Sequence, residues 1–204
     1  LPWRLGTALG GWVGLLFFSL SKRYRTRSFE NYKLAFGVDQ IDSQSYRIIR
    51  NSFKNLGKSL MEILSLQYLN PAQMDSLVSW EGEEYLQQAK EEGILLITGH
   101  IGNWELMGAA LAHRGYAIHA IAAPLYDARI NRWIVHLRAL FRVGTINRGT
   151  PSSSRKILEI LRKKEMLALL IDQDTRVNGV FVPFFNQKAY TPIGAAQLAL
   201  RSSA

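Results

Sequence analysis

A chain of 204 residues with no cysteine is long enough to bury the core of an α/β domain, and it excludes a disulfide scaffold, a thiol nucleophile and a cysteine zinc site. Its 25 Lys and Arg outnumber 16 Asp and Glu, a formal charge of +9. That excess points to an anionic partner, whether lipid headgroups, a phosphorylated substrate, an acidic protein or nucleic acid.

The chain opens on Leu1 rather than Met and stops at Ala204 within a helical pattern, so it reads as a fragment at both ends. Residues 5–21 carry no charge, a run at the lower limit for crossing a bilayer as a helix. Gly6, Gly10 and Gly14 recur every four residues and would line one helix face with small residues suited to close packing. Lys22, Arg23, Arg25 and Arg27 follow at once. With Trp3 and Trp12, the pattern predicts a membrane anchor or interfacial helix over residues 1–21, its basic flank on the cytoplasmic side, and a second domain over 22–204. The alternative is a buried apolar hairpin. A cleaved signal peptide fits poorly, because the basic residues follow the apolar run.

Residues 42–69 place Tyr46, Ile49, Phe53, Leu56, Leu60, Ile63 and Leu64 at helical spacing, which reads as a long amphipathic helix packed on a core. Pro71 ends it, and 83–92 reads as an exposed helix closed by Gly93. Four apolar residues, 94–97, predict a buried parallel strand, and 106–112 predict a helix. Beyond lie strand 117–122, helix 131–141, a short strand at 144–147, helix 153–163 and strand 166–171. Strands alternating with helices define the expected fold class as α/β, a mainly parallel central sheet flanked by helices.

Between the strand at 94–97 and its helix stands Gly99-His100-Ile101-Gly102-Asn103-Trp104-Glu105. Gly102 permits a sharp turn and Asn103 can cap the helix, so Glu105 falls in the first turn while His100 stays in the loop. The carboxylate can then reach back to the imidazole, whose other nitrogen would serve as a general base toward an alcohol. The plainer alternative is an acid that complements the helix dipole. Parallel sheets bind ligands at the carboxyl ends of their strands. Arg148, after the strand at 144–147, offers a planar fork of donors suited to phosphate. Asp172 and Asp174 follow the strand at 166–171 and could shape a polar pocket or steady Arg148, or could be turn residues. No Gly-x-Ser-x-Gly elbow occurs, and Ser153-Ser154-Arg155-Lys156 reads as a helix start rather than a hydrolase site. His113, His119 and His136 lack metal-ligand spacing, and no nucleic-acid module is recognisable.

In order and spacing these blocks resemble the lysophospholipid acyltransferase superfamily and, within it, the bacterial lipid A biosynthesis (late, Kdo-dependent) acyltransferases. The resemblance rests on Thr98 through Glu105, Arg138 through Arg148, Ile171-Asp172-Gln173-Asp174, and Phe181-Val182-Pro183-Phe184-Phe185 with Thr191-Pro192. It implies an enzyme at the bacterial inner membrane, its active site on the cytoplasmic side, transferring a fatty acyl chain from acyl carrier protein to a hydroxyl of a lipid A precursor or related glycolipid. It implies no metal and no cofactor beyond that donor. On the same analogy His100 is the general base and Glu105 orients it, while Gly102, Asn103, Trp104, Arg148, Asp172, Gln173 and Asp174 bind substrate. Members of the family continue beyond the helix containing Gln197-Leu198-Ala199-Leu200, and Asn186-Gln187-Lys188 stands where many of them carry a Gly.

Overall fold

The computed structural model describes residues 2–173, 175 and 177–202. The chain divides into two compact units, residues 1–66 with 181–190, and residues 67–180 with 191–204.

In the first unit, helix α1 (Trp3–Leu20) packs lengthwise on α3 (Ser43–Ser65), with α2 (Lys22–Phe36) between them in sequence. The expected glycine face forms the seam. Gly6, Gly10 and Gly14 are buried on α1, and Cβ atoms at Gly10 and Gly14 would run into the backbone of Gly57 and Phe53 on α3. Asp42 caps α3, accepting the Ser45 N–H at 2.7 Å. Phe18, Ile49 and Phe53 make the small core of this unit, with Phe29, Tyr32 and Ile41 packed around it. The apolar stripe of α3 is only partly core, which corrects the sequence expectation. Tyr46, Leu56, Leu60 and Leu64 are exposed, because α1 covers α3 along one flank only. Among the described residues no single helix is long and apolar enough to cross a membrane; α1 and α2 reach that length only as a pair bent by 89°. The basic segment that flanks α1 is itself helical, with Phe29, Tyr32 and Phe36 forming an apolar row along it.

The second unit holds the parallel sheet, with strands β1 (Ile94–Thr98), β2 (Ile118–Ala122), β3 (Gly144–Asn147) and β4 (Met166–Leu170) in the order β1-β4-β2-β3. All three pairings are parallel. Side chains alternate across the sheet. Met166 and Ala168 join Ile94, Leu111, Ile118 and Val143 under α6 (Trp104–His113). Leu167, with Ile146, packs on the opposite face against Ile160 and Leu161 of α8 (Ser153–Arg162), and Leu198 of α9 (Gly194–Ser202) adds to that cluster. Both faces are covered, as apolar parallel strands require. Short helices α4 (Pro71–Leu77) and α5 (Glu83–Ala89) precede β1, and α7 (Ala128–Leu140) joins β2 to β3.

Strands β5 (Gly179–Phe184) and β6 (Gln187–Pro192) form a separate two-stranded sheet. Phe185 and Asn186 join them at φ 50° and 57°, a two-residue turn that allows only antiparallel pairing.

Candidate active site

The strand register brings His100 and Asp172 together. Thr98 pairs with Leu170 across β1 and β4, so the residues two positions past each strand stand side by side at the carboxyl edge. Gly99 makes the approach possible: a Cβ there would lie 2.9 Å from Asp172 Oδ2. One carboxylate oxygen of Asp172 meets His100 Nδ1 at 2.7 Å, and the other accepts the His100 backbone N–H at 2.6 Å. Burial raises the Asp172 carboxyl, but the ring and backbone hydrogen bonds and the imidazole charge outweigh it and hold the group below the usual carboxylate range. An ionised carboxylate can only accept, so in the neutral imidazole Nδ1 carries the proton and Nε2 keeps its lone pair. The Trp104 ring meets the imidazole edge to face at 4.8 Å, a second restraint on its orientation.

Glu105 lies elsewhere in the network. Asn103 caps α6 by accepting the Leu106 N–H at 3.0 Å, which sets Glu105 in the first turn as the sequence predicts. Both Glu105 oxygens are then held by Arg138 of α7, at 2.9 Å from Nε and 2.6 Å from the terminal nitrogen. The pair is nearly enclosed, with 12% of the Arg138 side chain and 9% of Glu105 exposed. Among the described residues no hydrogen bond joins Glu105 to His100. The carboxylate on the imidazole is Asp172, because β4 lies directly beside β1 whereas Glu105 turns toward α7.

Arg148 follows β3 at the far edge of the sheet, anchored by its N–H to the Ala122 carbonyl at 2.9 Å. Three strand spacings of about 4.8 Å separate β1 from β3, so Arg148 stands roughly 14 Å from the His100 strand. It lines a cavity of about 430 Å³ with Ile121, Ile157, Leu169, Leu198 and Arg201. The cavity is apolar within and carries two guanidinium groups. Gln173 is exposed beside Asp172, Gly102 makes its turn at φ 66°, and Asp174 lies outside the described residues. Along the sequence Arg138 is marked only as the start of the Arg138–Arg148 block, with nothing beside it to assign a role. Its nearly enclosed position opposite an acid 33 residues away depends on where the fold places α7, which spacing along the chain does not reveal.

A doubly covered parallel sheet with a carboxylate-held histidine at its carboxyl edge defines a site suited to moving a proton at an acyl or hydroxyl group. Across residues 1–204 the chain matches the model of the bacterial lipid A biosynthesis acyltransferase family, and it belongs to that family. It is 27% identical over 161 residues to a phosphatidylinositol mannoside acyltransferase of Mycobacterium tuberculosis, a match covering 75% of this chain and 50% of that protein. It is 26% identical over 212 residues to a lipid A biosynthesis acyltransferase of Haemophilus influenzae, covering 100% and 64%. A phosphatidylinositol mannoside acyltransferase of Mycolicibacterium smegmatis is 22% identical over 211 residues, covering 99% and 69%. The chain thus spans about half the length of the first of these relatives and about two thirds of the others.

Proposed function

We propose that the protein transfers a fatty acyl chain from acyl carrier protein to a hydroxyl of a lipid A precursor or a related membrane glycolipid, at the cytoplasmic face of the bacterial inner membrane. The observation that carries this reading is the His100–Asp172 pair at the mouth of the sheet. With Nδ1 committed to Asp172, His100 Nε2 takes the proton of the acceptor hydroxyl as its oxygen attacks the thioester carbonyl. The tetrahedral intermediate collapses with loss of the thiolate, which takes up from His100 the proton given by the acceptor hydroxyl, so no covalent acyl-enzyme is needed. Asp172 positions the ring and stabilises its charged form. Glu105 acts through Arg138: the pair pins the first turn of α6, and with it Trp104, against the imidazole. Arg148 binds a phosphate or sugar of the acceptor, and the apolar cavity beside it gives the lipid part of a substrate a place to lie.

Membrane association rests on the first unit. Leu5, Leu9, Trp12, Val13, Leu16 and Leu20 are exposed along α1, a contiguous apolar face of the kind that marks an interaction surface, and Lys22, Arg23 and Arg27 follow it. We assign α1 as an interfacial helix lying on the bilayer. The basic charge also suits an acidic carrier protein.

Labelled acyl carrier protein and acyl-coenzyme A offered separately as donors, each with a tetra-acylated lipid A precursor or a phosphatidylinositol mannoside, would test the assignment. Transfer from the carrier protein to one acceptor, abolished by His100→Ala, is the expected result. Wild-type transfer by a folded His100→Ala variant would refute it.

A further inference from the structure

The geometry points to a binding groove for phospholipid headgroup phosphates on the first unit, between α1 and α3 and separate from the catalytic histidine. This inference rests on the membrane reading given above. Arg50, Lys54 and Lys58 follow one another every four residues on α3, which stacks them about 6 Å apart along one row of the helix. With Arg4, Trp12 and Leu15 of α1 they line a cavity of about 560 Å³.

Three features make this a built groove rather than scattered surface charge. The lysine stems are laid down by the helix packing: a Cβ at Gly11 would meet Lys54 at 3.4 Å and Lys58 at 3.6 Å, so both aliphatic chains cross the glycine face of α1 and are half-buried there. The four cations stand together with no acid among them, and Glu62 follows Lys58 one turn further along α3, outside the groove lining. Helix α1 contains no acid, Glu62 is the sole acid of α3, no acid lines the groove, and among the described residues none of the four cations forms an ion pair. Like charges held this close repel, and a bound polyanion relieves that repulsion.

The third feature selects the occupant. Trp12 lines the groove, is 72% exposed and also belongs to the apolar face formed by Leu5, Leu9, Val13 and Leu16. One helix thus offers hydrocarbon contact on one flank and cations on the next, with an amphipathic indole at the boundary. A bilayer of anionic phospholipid presents both surfaces at once, acyl chains beneath and phosphates above, and Trp favours that boundary. A soluble acidic protein would leave the apolar flank uncovered.

Sedimentation of the protein with neutral phosphatidylcholine vesicles and with vesicles containing phosphatidylglycerol tests the groove. Each cation near an anionic surface strengthens binding about fivefold, so Lys54→Gln with Lys58→Gln is expected to weaken partition onto phosphatidylglycerol vesicles about 25-fold. Binding to neutral vesicles and transfer activity in detergent should stay at wild-type levels. The pair Arg162→Gln with Lys164→Gln removes the same net charge from an exposed part of the second unit, and less than a threefold change is expected. Equal losses in the two pairs would mean diffuse attraction and overturn the site. So would a groove variant that binds like wild type, one that loses neutral-vesicle binding equally, or one that loses affinity for acyl carrier protein instead of vesicles. Wild-type protein that binds both vesicles equally would remove the headgroup site and leave the interfacial helix standing. Binding to neither vesicle would remove both.

Discussion

Replacing Asp172 by Asn separates the positioning of His100 from the stability of the fold. The carboxylate accepts two hydrogen bonds from His100, at 2.7 Å from the ring and 2.6 Å from the backbone. An amide can keep one of these but offers a donor toward the other, which favours the tautomer with the proton on Nε2 and removes the lone pair that the reaction needs. A positioned general base contributes about 10²–10⁴-fold to the rate, or roughly 3–5 kcal/mol at about 1.4 kcal/mol per tenfold, so kcat should fall within that range. Stability should move little. The His100 and Asp172 side chains are 32% and 36% exposed, and ion pairs of that exposure contribute at most about 1 kcal/mol. Steady-state transfer from labelled acyl carrier protein gives kcat, and thermal unfolding gives the control. The double variant with His100→Ala should be no slower than His100→Ala alone, since the two residues act as one unit. Wild-type kcat in Asp172→Asn, or additive losses in the double variant, would refute the reasoning.

Three further outcomes follow from the same geometry. Glu105→Gln strands Arg138 in a nearly closed site, and breaking such a pair costs about 3–5 kcal/mol, a fall in Tm on the order of 10 °C; adding Arg138→Met removes the stranded charge and should recover much of that loss in the same melt. Gly14→Ala drives a methyl into the Phe53 carbonyl and should destabilise the first unit by about 1–3 kcal/mol, read by limited proteolysis. Gly6→Ala, whose added carbon would lie 3.8 Å from Ser65 Oγ, should be tolerated. The Asp172 carboxyl is held below its ordinary value when folded, so its contribution to stability is present above the unfolded value near 4 and is lost as pH falls through the lower folded value; acid titration of wild type should show this loss and Asp172→Asn should lack it.

The four parallel strands, the cap at Asn103 and the glycine seam of α1 were legible in the sequence, because each is local: an apolar run, an Asx side chain three residues ahead of an N–H, a four-residue repeat. The partners of His100 and Glu105 were not. Asp172 is 72 residues from His100, and only the insertion of β4 between β1 and β2 makes them neighbours, an order that no periodicity encodes. Arg138 reaches Glu105 from α7, 33 residues further along the chain. The β5–β6 hairpin escaped reading because Pro183 demotes a strand pattern and Phe185 occupies a turn position that usually announces itself with Gly or Asn. Helix α2 gives a weak sequence signal because its many basic residues dilute the apolar row of Phe29, Tyr32 and Phe36.

The insertion of β4 also governs when the site can exist. Strand β1 has β4 as its sheet partner, so residues 94–98 emerge from the ribosome and wait for 166–170 before their backbone groups are paired. At typical synthesis rates of about 5–20 residues per second, that interval lasts several seconds. Until then an apolar edge is open to chaperones or to misplaced strands. The His100–Asp172 pairing and completion of the sheet are therefore one folding event, and a nascent chain halted before Met166 carries His100 without Asp172 to hold it.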